Sequence, residues 1–170
     1  MNTDPYINHL KDLCRYNVWA NEKIAGFIAE AGEERCLMVQ KSSYGTIRET
    51  LIHIWGAQYM WLERLQGRSP DNWPGKNFAG NCIQITDAIT ANSRQWEAMA
   101  ESLLPEMAAA RISYRNLSGA EFHNTAGQIM AHVMNHGTFH RGQIVTMLRG
   151  AGFNDLKQTD LIAFYRLFSN

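Results

Sequence analysis

The chain has 170 residues, 45% of them hydrophobic, a mass of 19.3 kDa, and sixteen Lys and Arg balancing sixteen Asp and Glu. That length predicts a single domain over residues 1–170, because one core commonly serves roughly 100 to 200 residues. The charges are scattered rather than gathered, which excludes the electrostatic footprint of a nucleic-acid partner or of an anionic membrane surface.

The polar N-terminus Met1-Asn-Thr-Asp-Pro5 carries no basic and apolar leader, and no apolar run approaches the ~20 residues needed to span a bilayer, so a soluble cytoplasmic protein is expected. Asp4-Pro5 predicts a helix start, an N-cap followed by a proline whose missing N–H costs nothing at the first helical position. Leu10, Leu13, Cys14, Asn17, Ala20, Ile24, Phe27 and Ile28 continue at three-and-four spacing to about Glu30, and Gly32 supplies the stop. His9 has no neighbour at ligand spacing and reads as a partly exposed side chain. Cys14, Cys36 and Cys82 are odd in number, far apart and without a C-x-x-C, which fits a reducing compartment rather than a disulfide framework or a Cys-based zinc module.

Glu33 to Gly45 reads as a connection, and Thr46-Ile-Arg-Glu49 as a capping box opening the second helix. Its run from Leu51 to Leu62 is apolar nearly all round, as for a helix buried between neighbours, and Gly67 marks its end. His53 lies within that run and needs partners for its ring nitrogens. The segment Arg68 to Gly80, with Pro70, Trp73 and Pro74, is a loop, either a lid or, as favoured, a surface loop pinned by its tryptophan. Asn81 begins a third helix with Ile85, Ala88, Ile89, Trp96, Met99 and Leu103 on one side, ending near Pro105.

Arg111 to Gly119 changes to a short extended stretch and a turn, in which at most a small hairpin fits. His123 precedes the N-cap pair Asn124-Thr125 and reads as a helix-opening residue rather than a metal ligand. The fourth helix runs from about Ala126 to Arg149 and stops at Gly150 and Gly152, and Thr159 to Phe168 forms one short last helix capping the bundle.

The fourth helix carries His132, His136 and His140 at intervals of four. With His136 at zero on a wheel of about 100° per residue, His140 lies near +40°, Gln143 near −20° and His132 near −40°. His136 and His140 point into the bundle, while His132 sits on the flank. Two imidazoles at i and i+4 can share one ion, and the third ligand must come from elsewhere; His53 of the second helix is the well-placed candidate. Taken singly, each histidine reads as a satisfied core residue; taken together they favour a divalent metal at His53, His136 and His140. Glu49, one turn before His53, has a cap role first, with orienting the imidazole, binding the ion or acting as a base as alternatives. His132 and Gln143 are further candidates to orient groups or relay a proton. No G-x-S-x-G, phosphate-loop, G-x-G-x-x-G or H-E-x-x-H pattern occurs.

Asn135-His-Gly-Thr-Phe-His-Arg-Gly-Gln-Ile144 resembles the HxxxHRGQ helix of the DinB-like helical metalloproteins, and Thr46-Ile-Arg-Glu-Thr-Leu-Ile-His53, with Trp61 downstream, resembles their helix-two histidine motif. Gly119 before the fourth helix and Asp160 to Tyr165 near the end also fit. The resemblance implies a four-helix bundle running up-down-down-up, so that, with the hairpin-like insertion before helix four and the short C-terminal helix read above, the expected fold is all-α. It further implies a homodimer, and zinc or nickel held by His53, His136 and His140. Among its members are low-molecular-weight-thiol S-transferases, so the leading expectation is a metal-dependent transferase using a thiol cofactor on a small-molecule substrate. A hydrolase using metal-bound water and a noncatalytic metal-binding or stress-response dimer remain the alternatives.

Overall fold

A computed structural model describes residues 4–168; the first three residues of the polar N-terminus lie outside it. It contains seven α-helices and one two-stranded sheet among the described residues: α1 (Pro5–Ala31), α2 (Glu33–Leu37), α3 (Ile47–Leu65), α4 (Cys82–Glu101), α5 (Pro105–Ala109), β1 (Arg111–Arg115), β2 (Glu121–Thr125), α6 (Ala126–Gly150) and α7 (Leu161–Arg166). The four long helices α1, α3, α4 and α6 build the body: α1 packs on α4 and α6, and α3 packs on the same two.

Helix starts follow local chemistry. Asp4 Oδ1 accepts from the Tyr6 and Ile7 N–H groups with Pro5 at the first position, as the sequence predicts. At α3 the expected reciprocal box is only half formed. Thr46 Oγ1 accepts the Glu49 N–H at 3.1 Å, but the Glu49 carboxylate takes the Thr46 hydroxyl instead of its N–H. Full boxes stand instead at Asn81/Gln84, opening α4, and at Thr125/Gln128, opening α6.

Three connecting stretches hold more structure than their composition predicts. Gly32, at φ 82°, ends α1 and lets α2 begin at once, with Glu33 and Glu34 in its first turn and Cys36 buried beneath it. The third long helix stops at Glu101, before Pro105, and the proline starts α5 rather than ending α4. Between α3 and α4 a 3-10 turn, Pro74–Asn77, follows Trp73. A Cβ on Gly56 would overlap the Trp73 indole, so glycine in mid-helix is what lets the loop lie down on α3. The pinned-loop expectation describes this segment well. The hairpin pairs Arg111 with Thr125 through Arg115 with Glu121 and turns at Gly119 (φ 84°).

Two apolar clusters divide the interior along the bundle. One gathers Ile24, Ile28, Ile47, Leu51, Ile54, Ile85, Ile144 and Leu148, and the other Leu10, Cys14, Leu62, Trp96, Ile129, Met130 and Met134. On each long helix the residues between these sets are polar and buried: Asn17 and Asn21, Gln58, Ser93, and Arg141. Arg141 Nη1 donates to Asn17 Oδ1 (2.7 Å) and Asn21 Oδ1 (3.0 Å), and Nη2 to Thr138 Oγ1 (2.9 Å). Asn17 Nδ2 reaches Gln58 Oε1 at 2.7 Å, and Asn21 Nδ2 reaches Ser93 Oγ at 2.8 Å. A Cβ on Gly137 would press on Arg141 Nη1 at 3.0 Å and Asn17 Oδ1 at 3.1 Å, so this glycine gives the guanidinium its room.

Candidate metal centre

The polar layer fixes α6 against α1, and α6 then presents His136 and His140 to α3, which presents His53. The three rings converge. His53 Nε2 lies 2.9 Å from His136 Nε2, His140 Nε2 lies 3.1 Å from the same atom, and all three ligand atoms fall within 4.8 Å of one another. His140 is buried and the other two are half-buried, so His53 is less enclosed than its apolar sequence neighbours predict. Burial, then the neighbouring His140, His53 and His132, lower the His136 pKa to about 3. Burial and then His140 lower that of His53 to about 4. His140 is lowered by burial against the opposing hydrogen bond from Gln143. All three are therefore neutral at pH 7, the form in which imidazole offers a lone pair.

The outer contacts settle which nitrogen faces inward. Gln143 Oε1, which can only accept, stands 2.7 Å from His140 Nδ1, while Gln143 Nε2 donates to Ser43 Oγ at 2.9 Å. His140 Nδ1 thus carries the hydrogen and its Nε2 presents a lone pair to the cluster. Tyr44 Oη is 2.8 Å from His53 Nδ1 and its ring stacks on the imidazole at 4.4 Å between centroids. His136 Nε2 touches both other Nε2 atoms, and one hydrogen on it serves only one of those contacts well. A cation among the three removes that conflict. Metal–nitrogen bonds of ~2.0 to 2.1 Å at tetrahedral angles place nitrogens about 3.3 Å apart, so the two pairs that meet at His136 Nε2 need to open by only a few tenths of an ångström. The residues present fit a divalent ion.

The remaining candidates divide. Glu49 is exposed, holds the Thr46 hydroxyl, and lines an open cleft of about 460 Å³ with Tyr44, Ile52, His53, Trp73 and Gly75. Gln143 orients His140, as above. His132 lies outside the triad, its ring 5.8 Å from that of His136 and packed edge-on against Trp61 at 5.3 Å. His123 sits in the hairpin, where its Nδ1 meets Ser113 Oγ at 2.8 Å. None of the cysteines joins the site: all are buried in the apolar clusters, and burial, then Glu97 and Glu101, push the Cys14 thiol up to about 12.

Three residues at the site have no sequence signal of their own. Tyr44 and Ser43 fall in the connection before α3, where no periodicity points at them. Trp73 stacks on His53 at 5.7 Å from within a loop. A polar or aromatic residue shortly before the histidine helix was the one available hint.

A sequence model of the DinB family matches residues 2–165. The chain is also similar to the curated Protein DinB of Bacillus subtilis (strain 168), 26% identical over 148 residues, which cover 83% of this chain and 85% of that protein.

Proposed function

This chain belongs to the DinB family, and we propose that it is a metal-dependent transferase for a low-molecular-weight thiol, its divalent ion held by His53, His136 and His140. One observation carries the reading: three imidazole nitrogens meet within 4.8 Å beside an open cleft, which leaves coordination positions for an exogenous ligand. Bound there, zinc or nickel would supply the Lewis acidity that brings a thiol pKa toward neutrality.

The chain's own residues do the rest. Gln143 holds His140 in one tautomer and Tyr44 holds the plane of His53. Trp73 and Ile52 wall one side of the site against water. Neutral, solvent-facing His132 takes the proton that the thiol gives up, with exposed Glu49 as the alternative base on the His53 side. The sulfur then bonds to an electrophilic carbon of the substrate, whose leaving group departs with the electron pair of the broken bond.

The wider reading is of one domain, working as a cytoplasmic homodimer on a small molecule. Three free, buried cysteines support a reducing compartment, and no helix among the described residues is long and apolar enough to cross a membrane. An up-down-down-up course is supported by side-chain pairings. Lys11 meets Glu101 while Glu22 meets Arg94, Arg48 meets Gly80 while Gln58 meets Ser93, and Thr50 meets Met147 while His53 meets His136.

Metal analysis of protein purified without nickel resin, followed by a panel of low-molecular-weight thiols with an electrophile, tests the proposal. We expect about one ion per chain and a conjugation that disappears in His136→Ala. A folded protein that takes up neither zinc nor nickel removes the metal centre. Metal uptake without conjugation removes the transferase.

A further inference from the structure

A second concavity, of about 290 Å³, opens beside the triad and is lined by Trp61 of α3, Tyr114 of β1, Asn124 of β2, and Gln128, Ile129 and His132 of α6. It exists because the hairpin folds back on both helices: Tyr114 packs edge-on against Trp61 at 5.0 Å between centroids, and Trp61 against His132 at 5.3 Å. His132 stands four residues before His136, so the cleft ends about 6 Å along α6 from the triad. Its size is at the small end of ligand sites, which run from roughly 300 to 1,000 Å³. It suits one end of a small molecule.

The polar groups of this cleft are unevenly used. The Tyr114 hydroxyl donates to Asn124 Oδ1 at 2.8 Å, and Gln128 Oε1 accepts from the Thr125 N–H at 3.0 Å and from Asn124 Nδ2 at 3.3 Å. Trp61 Nε1, Gln128 Nε2 and the two His132 ring nitrogens have no hydrogen bond to any described residue, and three of these four offer an N–H when His132 is neutral. No carboxylate lines the cleft. Against the same aromatic rings lies Arg64, its guanidinium carbon 4.5 Å from the Trp61 ring centre and 5.0 Å from that of Tyr114. Arg64 is only 8% exposed, its Nε has no hydrogen-bond partner, and it makes no ion pair with any described residue. A buried cation without a counter-ion therefore stands next to a pocket rich in unused donors.

We propose that the cleft of Trp61, Gln128 and His132 is an anchoring subsite for the carboxylate of a small molecule whose other end reaches His53, His136 and His140. Only the placement of that far end rests on the metal-centre reading above; the anchoring of the carboxylate does not. A carboxylate accepts from the indole, the amide and the imidazole N–H groups at once, and it sits in the field of Arg64, weakly screened because the arginine is buried. A neutral amide of the same shape gains no attraction from that field, and its own NH2 faces donors. The distance to the triad sets the span between the carboxylate and the reacting atom at about 6 Å, roughly five bonds.

The test uses metal-free protein, so that a carboxylate cannot bind through an ion. ¹H–¹⁵N spectra are followed during titration with 3-phenylpropionate and, separately, with 3-phenylpropanamide. The Trp61 indole and Gln128 side-chain signals are expected to move saturably with the acid, at least about tenfold tighter than with the amide. Gln128→Glu keeps the oxygen that caps α6 but replaces the donor by a negative charge. It is expected to weaken the acid by about tenfold or more while sparing the amide. Should that variant not fold, Arg64→Met removes the charge at similar length, and the preference for acid over amide should collapse. Equal response to acid and amide, no movement of the Trp61 and Gln128 signals, or a preference that survives both variants overturns the proposal. Metal uptake is measured on separate samples, so a failed triad and a failed subsite give different results.

Discussion

Lowering the pH is the sharpest perturbation of the candidate centre, because the lowered histidine pKa values change how protons compete with a metal. Three ordinary imidazoles of pKa about 6.5 would each be tenfold more protonated than free at pH about 5.5, cutting the apparent metal affinity by ~1000-fold relative to neutral pH. In this protein burial and neighbouring rings hold His136 at about 3 and His53 at about 4, so neither binds a proton until far below pH 5.5. His140 is lowered as well; even if it behaved as an ordinary imidazole, it would contribute at most about tenfold. Zinc affinity is therefore expected to fall by no more than about tenfold between pH about 7.5 and 5.5. Titration against a competing chelator measures this. Calorimetry in buffers of different ionisation enthalpy adds a second readout, since fewer than about one proton should leave on binding at pH 6, against about two for ordinary histidines. A thousandfold loss of affinity, or release of two or more protons, would refute the claim that the triad is held neutral by its surroundings.

Other consequences follow from the same geometry. Tyr44→Phe removes the hydroxyl at His53 Nδ1; metal affinity should drop by about tenfold, read by the same chelator titration, with unfolding free energy changed by no more than about 1 kcal/mol. Arg141→Met deletes three buried hydrogen bonds from a charged group and strands Asn17 and Asn21, so urea unfolding should show a loss of about 3 kcal/mol. Stability of the metal-free protein should also depend on pH. Below about 6.5 the unfolded chain takes up protons that folded His53 and His136 refuse down to about 4 and 3. Stability is thus present above pH 6.5 and is lost as pH falls toward 4.5, by about 2 to 3 kcal/mol after discounting the partial solvent access of both rings. Urea midpoints that do not change over that window would count against the lowered values.

The three clustered histidines were legible in the sequence because helical periodicity is a strong constraint. Positions 136 and 140 must share a face, and a histidine inside the apolar run from Leu51 to Leu62 must find a polar partner. Periodicity also separated His132 from the pair, and the structure keeps it outside the triad. Of what surrounds the triad, Gln143 and Glu49 were legible because they lie on the same two helices as the histidines, and the rest was not. Tyr44, Ser43 and Trp73 lie on connections, where side-chain direction follows from loop path and not from a repeat. The path of the Trp73 loop depends on a missing Cβ at Gly56, seventeen residues earlier in the chain. Short helices α2 and α5 were missed for a related reason, since five residues are too few to show a period.

The run from His136 to Gln143 shows how one stretch of helix serves two purposes. His136 and His140 face α3, while Arg141, about 100° further round the helix, drives its guanidinium into the layer formed by Asn17 and Asn21 of α1. Gly137 is the position that clears space for this, and Gln143 turns back to fix the tautomer of His140. The apolar clusters on either side would tolerate a few degrees of helix rotation, because hydrophobic contact is not directional. Hydrogen bonds from a buried guanidinium are directional and costly to leave unmade. Arg141 thus sets the rotation of α6, and with it the separation of the histidine nitrogens from His53. It follows that replacing Arg141 should weaken metal binding as well as the fold, whereas an equally destabilising truncation in the far apolar cluster, such as Leu10→Ala, should lower stability alone.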